Sequence, residues 1–131
     1  MQDGVRKSRM SILEARVSDK ILFVSDDVFF WARVQGLAKS LGRNAVRVGD
    51  EATMDAAFQA GGVARVIVDL GSRSVDGLAW AARWKGASPA PQLVAFGSHV
   101  NEAAFAAARE AGFDEVMANS RFSRSIADWL S

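Results

Sequence analysis

The sequence predicts an α/β domain in which helices cover both faces of a parallel β-sheet. Short apolar runs alternate along the chain with segments whose apolar residues recur at helical intervals. The apolar runs are continuous, which is typical of strands that are buried on both faces. The chain has 131 residues and is 50% hydrophobic, so it can close a hydrophobic core as one domain.

The first two strand and helix units follow a polar, basic lead. We expect residues 1–19 to form a flexible N-terminal extension and residues 20–131 to form the domain. Residues 21–24 read as the first strand, and the spacing of apolar residues over 30–41 predicts a helix that Gly42 ends. Residues 45–48 predict a second strand. The following helix is capped by Asp50 and ends at Gly61 and Gly62.

Three further units complete the predicted domain. The strand over 66–69 is rich in β-branched residues and ends in Asp69. Helices are predicted over 78–85 and 101–111, with strands over 93–96 and 116–118, and Ser123 is predicted to cap a last helix. Trp80 and Trp84 lie one helical turn apart, and we expect them to share a face distinct from that of Leu78. This face either packs against a neighbouring helix, which we favour, or forms an exposed docking patch.

Composition excludes several classes of function. The 16 Lys and Arg residues nearly balance the 15 Asp and Glu residues, so neither nucleic acid nor an anionic membrane surface is an expected partner. The absence of cysteine and the single histidine exclude disulfides, thiolate metal sites and a multi-histidine zinc site within one chain. No apolar stretch is long enough to span a bilayer, and we expect a soluble, cytoplasmic protein.

Acidic side chains follow two of the predicted strands. Asp26 and Asp27 come after the first strand, and Asp69 ends the third strand, with Asp76 and Gly77 seven residues further on. Since the carboxyl ends of parallel strands meet at one edge of a sheet, we expect these carboxylates to converge there.

This layout resembles the CheY-like receiver domain of bacterial response regulators over residues 20–131. The resemblance implies a flavodoxin-like (βα)5 fold with strand order 2-1-3-4-5, and it implies a signalling module rather than an enzyme. In receivers, acids after the first strand hold Mg²⁺ and the aspartate after the third strand accepts a phosphoryl group. The resemblance gives Asp69 the phosphoacceptor position, and Asp26, Asp27, Asp69 and the backbone carbonyl of Gly71 a weak Mg²⁺ site, with no cofactor required.

Four positions depart from the receiver pattern. Ser25 takes the place of the first metal-binding acid, and Phe96 takes the place of the usual Thr or Ser after the fourth strand. Asn119 replaces the usual lysine, and Val116 replaces the aromatic switch residue. We therefore expect an atypical receiver whose phosphorylation is slow or absent, with Phe96 filling space and excluding water near Asp69.

The resemblance also implies protein partners. Receivers commonly bind through the fourth helix, fifth strand and fifth helix, which here gives an interaction surface with Phe105, Val116, Ile126 and Trp129. The expected partner is a histidine kinase or a downstream regulator, and the same surface is a candidate for a homodimer. The run Phe29-Phe30-Trp31 cannot face one core entirely, so at least one of these rings should lie at the rim of the acidic pocket.

Two alternatives remain open at this point. In one, the domain is a working phosphoacceptor in which Asp69 receives phosphate from a histidine kinase and Asp26 and Asp27 together hold Mg²⁺. In the other, it is a small nucleotide- or flavin-binding domain of the same topology. The second alternative lacks a glycine-rich phosphate loop after the first strand, where the acids at positions 26 and 27 would repel an anion.

Overall fold

The computed structural model describes residues 20–131, which form a five-stranded parallel sheet in the order β2-β1-β3-β4-β5. This order confirms the predicted topology. The predicted extension, residues 1–19, lies outside the described residues. The strands are β1 Lys20–Val24, β2 Asn44–Val48, β3 Val63–Asp69, β4 Gln92–Gly97 and β5 Glu115–Ala118. The α-helices are α1 Val28–Ser40, α2 Glu51–Gln59, α3 Ala81–Lys85, α4 Glu102–Glu110, α5 Asn119–Arg124 and α6 Ile126–Leu130, and a 3₁₀ turn spans Gly77–Trp80.

Each face of the sheet has its own hydrophobic core. On one face, side chains of the sheet pack with Met54 of α2, Trp84 of α3 and Ala108 of α4. On the other face they pack with Val34 of α1, with α5 and with α6. Alternate residues of each strand serve the two cores, which explains why the strand sequences are continuously apolar.

Polar caps and glycines fix the ends of the helices. Asp27, Asp50 and Asn101 each accept a hydrogen bond from a backbone N–H in the first turn of α1, α2 and α4. Gly42 and Gly112 follow α1 and α4 with φ of 67° and 91°, a region that favours glycine. The predicted cap at Asp50 and the predicted stop at Gly42 are confirmed.

The tryptophan pair packs as predicted, but the prediction of a separate face is wrong. Trp84 is fully buried, and Trp80 contacts it edge to face with ring centroids 6.1 Å apart. Leu78 and Trp80 both pack against the same core as Trp84. The segment begins as a 3₁₀ turn with three residues per turn, so the 100° spacing of an α-helix does not apply to it.

The last helix differs from the prediction. The chain enters α5 directly after β5, and Ser123 lies inside α5 and caps no helix. A second short helix, α6, then begins after Ser125. Phe122 and Ile126 are buried in the core on one face of the sheet. Such tertiary contacts set the boundaries of the two short helices.

Within residues 20–131, none of the helices has the length and apolar character needed to cross a bilayer.

Candidate functional site

The predicted acids converge at the carboxyl edge of the sheet, where β1 and β3 are neighbours. Val24, the last residue of β1, pairs in register with Val68, which places Ser25 beside Asp69. The Ser25 hydroxyl donates a hydrogen bond of 2.8 Å to Oδ2 of Asp69. Ser25 is fully buried, so the link between the two strands is shielded from solvent.

Asp69 is a half-buried carboxyl group with both oxygens engaged. Oδ2 accepts from Ser25, and Oδ1 accepts from the backbone N–H of Gly71 at 2.9 Å. Burial raises the pKa of Asp69, and repulsion by Asp26 and Asp27 raises this pKa further, although the two hydrogen bonds oppose the shift. The electrostatic coupling shows that the three carboxyl groups share one region, and there the ionised form of Asp69 is disfavoured.

Asp26 holds the loop that follows β3. Its Oδ2 accepts hydrogen bonds from the backbone N–H groups of Arg73 and Ser74, at 2.8 and 3.0 Å, and from the Ser74 hydroxyl. Its own N–H donates to the Ser72 hydroxyl. The hydrogen bonds that the Asp26 carboxylate accepts, led by the one from the Ser74 N–H, lower the pKa of Asp26. This carboxylate therefore has a structural role in ordering residues 72–74.

Asp27 caps α1. Its Oδ1 accepts from the N–H groups of Phe29 and Phe30 at 3.0 and 2.9 Å. Its backbone N–H donates to the Ser25 hydroxyl at 3.0 Å, so Ser25 connects the start of α1 to Asp69. The two accepted bonds satisfy N–H groups of the first turn that have no partner within the helix, so Asp27 stabilises the start of α1.

The Asp76-Gly77 pair closes the site from the β3–α3 side. Asp76 accepts from the N–H of Leu78 at 3.1 Å and so caps the 3₁₀ turn. Gly77 is buried, and a Cβ there would lie 2.7 Å from Cγ1 of Val68. Only glycine allows the backbone this close to the end of β3, which gives the pair a packing role.

The described part of the chain brings no cationic side chain into an ion pair with the three acids. Asn119, at the position of the receiver lysine, is exposed and opens α5. The ion pair found in this part of the chain joins Arg83 to Asp55, away from the site. Arg47 is a site neighbour that the sequence reasoning missed, since its guanidinium donates to the carbonyl of Ser25 at 3.1 Å. The sequence signal for this neighbour is the charge of Arg47 inside the short strand predicted over 45–48.

Phe96 lies beside Asp69 in the sheet, as their register pairing shows. It is 1% exposed, and its ring stacks on Phe122 with centroids 4.1 Å apart and planes 5° apart. Phe23 and Phe30 stack on it from the β1 and α1 side, at 6.0 and 5.3 Å. Phe96 is therefore the centre of an aromatic core that joins α1, α5 and the sheet, and its assignment to the receiver hydroxyl position stays a prediction.

The carboxylates do not present a ready metal site. Among residues 20–131, no group of three or more acidic or histidine side chains is arranged to hold a metal ion. Oδ2 of Asp26 orders the loop, Oδ1 of Asp27 caps α1, and both oxygens of Asp69 accept hydrogen bonds. A Mg²⁺ ion, which takes oxygen ligands in near-octahedral geometry, would have to share or displace these bonds. Weak Mg²⁺ binding by Asp26, Asp27, Asp69 and the Gly71 carbonyl stays a prediction.

The predicted interaction surface needs one correction. Phe105, Val116 and Trp129 are half-buried, so part of each side chain faces solvent. Ile126 is 2% exposed and belongs to the core beneath α6, so it cannot contribute to a docking surface. Phe29, from the aromatic run after β1, is 87% exposed.

The described residues have a receiver-like fold of flavodoxin-like topology, with acids at the ends of β1 and β3. Solved receivers share this fold. The receiver domain of a response regulator from Bermanella marisrubri superposes with a TM-score of 0.69 and 18% identity, covering 86% of this chain and 98% of that one. The receiver domain of NtrX from Brucella abortus gives a TM-score of 0.63 and 23% identity, with 82% and 98% covered.

An orphan response regulator of H. pylori is also similar, with a TM-score of 0.66 and 14% identity over 85% of this chain and 89% of that one. No family model matches the sequence. No curated protein matches it either. At these identities the likeness establishes the fold, and the function has to be argued from the site.

Proposed function

We propose that this chain is a degenerate receiver domain that acts in signal transduction by binding another protein, and that Asp69 is a poor phosphoryl acceptor. The observation that carries the proposal is the hydrogen bond of 2.8 Å from the Ser25 hydroxyl to Asp69. A neutral donor stands where the receiver pattern has a metal-binding acid, and it occupies an oxygen of the acceptor carboxylate.

Phosphoryl transfer to a carboxylate requires positive charge at the site. The incoming group is an anion, and it approaches a cluster that contains Asp26, Asp27 and Asp69. A divalent cation and a fixed ammonium normally offset this repulsion. Ser25 and Asn119 replace the side chains that would bind or supply those charges. Removing one such group typically costs about 10²-fold or more in rate, so two losses together account for an inactive site.

Two of the acids hold parts of the fold together. Asp26 orders residues 72–74, and Asp27 caps α1. These roles need no metal and no phosphate, so both acids are useful in a domain that no longer turns over phosphoryl groups. The proposed partner is another signalling protein, either a histidine kinase or a downstream regulator, and a homodimer through α4, β5 and α6 is the corresponding self-association.

The flavin or nucleotide alternative loses support at the acidic edge. A cavity of about 140 Å³ lies there, lined by residues that include Asp69, Asp76 and Ala104. Sites for ligands of that size typically have volumes of roughly 300–1,000 Å³. The cavity beside Asp69 is smaller than a typical flavin or nucleotide site, which argues against this alternative.

The proposal is tested with a small-molecule phosphodonor. The full-length chain, the Ser25→Asp/Asn119→Lys variant and the same variant with Asp69→Asn are incubated with phosphoramidate and Mg²⁺, and intact mass is recorded over time. We expect little phosphorylation of the wild type, a gain of at least about 10-fold in rate in the double variant, and none in the variant lacking Asp69. Rapid, stoichiometric phosphorylation of wild-type Asp69 would overturn the proposal and support the phosphoacceptor alternative.

A further inference from the structure

The exposed apolar side chains of the domain are concentrated at the acidic edge. Among residues 20–131, the large hydrophobic residues with high exposure are Val28 at 57%, Phe29 at 87%, Leu41 at 43% and Val100 at 76%. Three of them, at positions 28, 29 and 100, follow the carboxyl ends of β1 and β4. Leu41 lies at the other end of α1, near the opposite edge of the sheet.

The topology brings these side chains to the same edge of the sheet, where α1 leads onto one face and α4 onto the other. Val28 and Phe29 open α1, while Val100 lies in the loop between β4 and α4. One strand, β3, separates β1 from β4. Since neighbouring strands lie about 4.8 Å apart, the two strand ends are separated by about 10 Å. A Phe that is almost fully solvated, at an edge that also exposes two valines, is unfavourable in an isolated domain and typical of a docking surface.

Negative charge adjoins this apolar patch. Asp27 directly precedes Val28 and is exposed, and Asp26 and Asp69 lie beside it at the same edge. Burial, and to a lesser degree repulsion by Asp26 and Asp27, raises the pKa of Asp69, and no ion pair within residues 20–131 neutralises these acids. These acids would attract a cation of a binding partner and would repel an anion.

We propose that this edge docks a protein partner through a segment that carries a Lys or Arg flanked by apolar side chains. The cation lies against Asp26, Asp27 and Asp69, and the apolar side chains pack on Phe29 and Val100. The partner thereby supplies the positive charge that the domain's own Asn119 does not. This inference rests on the proposed function, because it specifies which residue types the proposed protein partner would bring to that site.

The first arm of the test compares two probes of opposite charge. Two synthetic amphipathic helical peptides share a Leu-rich face and differ only in carrying Lys or Glu beside it. Each is titrated into the ¹⁵N-labelled full-length chain. We expect the Lys peptide to bind at least about 10-fold more tightly than the Glu peptide and to shift the amides of residues 26–29 and 98–100. Equal binding of the two peptides overturns the proposal.

The second arm uses matched variants. Phe29→Ala should weaken binding of the Lys peptide by about 10-fold or more, because it removes the most exposed ring of the patch. Leu41→Ala removes an exposed apolar side chain elsewhere and should leave the affinity unchanged. Asp27→Asn keeps a residue that caps helices well but removes the charge, so it should weaken binding several-fold while α1 stays capped. An equal loss in the Leu41 variant would contradict the assigned surface.

The third arm tests whether a second copy of the chain or its own N-terminal segment occupies the patch instead of another protein. Chemical shifts of residues 28, 29 and 100 that depend on protein concentration without peptide would identify a second copy as the occupant. Shifts of these residues caused by the triple change Arg6→Glu, Lys7→Glu and Arg9→Glu would identify the chain's own N-terminal segment. Either result overturns the external partner. None of these readouts uses phosphate, so wild-type phosphorylation would overturn the proposed function alone.

Discussion

At the scale of single residues, the site is governed by the Ser25 hydroxyl. It donates to Asp69 and accepts from the N–H of Asp27, so one small side chain joins the end of β1, the start of α1 and the end of β3. An aspartate at position 25 would place a further negative charge beside the half-buried Asp69. The serine therefore makes the acidic edge stable without a metal ion, at the expense of the charge that would bind one.

Asp69 should destabilise the fold when it is ionised. Its pKa is raised chiefly by burial, so the folded state binds the proton more tightly than the unfolded chain does. The free energy of unfolding of the wild type should then fall as pH rises from the ordinary carboxyl pKa through the raised value. Asp69→Asn removes this loss. We expect the variant to be more stable than the wild type at neutral pH and equally stable in acid, in urea unfolding curves recorded against pH.

Asp26→Asn is the matched control for this pH dependence and should behave in the opposite way. Hydrogen bonds from Ser74 and Arg73 lower the pKa of Asp26, so its ionised form stabilises the fold above the ordinary carboxyl pKa. That contribution is lost as pH falls through the lowered value, and the Asn variant should be less stable than the wild type at neutral pH. If the Asp69→Asn variant were less stable than the wild type at neutral pH, this would contradict the claim that ionised Asp69 destabilises the fold.

At the scale of secondary structure elements, the best-predicted helices are those with strong local signals. Asp50 and Gly42 mark the ends of α2 and α1 in the sequence, and the structure uses both. The segment after β5 has weaker local signals, since α5 has six residues and α6 has five. Helices this short depend on tertiary contacts for their boundaries, so sequence periodicity placed the start of the last helix at the wrong serine.

Phe96 supports the packing of α1 and α5 and should be costly to replace. Phe96→Thr removes the ring that stacks on Phe122 at 4.1 Å and leaves a cavity lined by Phe23 and Phe30. We expect a loss of about 3–5 kcal/mol in the free energy of unfolding, measured by urea denaturation. Phe105→Thr, at a half-buried position in α4, should cost clearly less. A loss below about 1 kcal/mol for Phe96→Thr would contradict the role of the stack.

Arg65 anchors α6 to the sheet. Its guanidinium donates to the side chain of Gln92 at 2.7 Å and to the carbonyl of Trp129, and it lies 5.8 Å from the centroid of the Trp129 ring. Arg65→Ala should cost about 1–3 kcal/mol and accelerate amide hydrogen exchange in residues 126–131 more than in α4. Arg124→Ala, at an exposed position in α5, is the control and should leave that exchange unchanged. Unchanged exchange in the Arg65 variant would show that α6 is held by Leu130 and its apolar contacts alone.

At the scale of the whole molecule, the topology and the position of the site could be predicted because both depend on the ends of the strands. Asp26 and Asp69 are visible in the sequence at those ends, and a parallel sheet brings them to one edge. The hydrogen bonds of Asp26, and the bond from the Gly71 N–H to Asp69, could not be predicted, since they depend on the path of residues 71–74. The bond from Ser25 to Asp69 depends on the register of β1 against β3. The burial of Ile126 likewise follows from how α6 packs, which no local pattern specifies.

Hydrogen bonds to Asp26, Asp27 and Asp69 order the acidic edge of the domain without Mg²⁺ or phosphate. The most direct test is an NMR titration of the full-length chain with Mg²⁺, followed by beryllofluoride, which mimics a phosphoryl group. We predict that Mg²⁺ shifts residues 25–27 and 69–71 only weakly and without saturation, and that beryllofluoride adds no change at these residues, at residue 96 or in the fluorescence of Trp31. Saturable shifts of these residues with Mg²⁺, extending with beryllofluoride to α4 and β5, would contradict the account and indicate a working receiver.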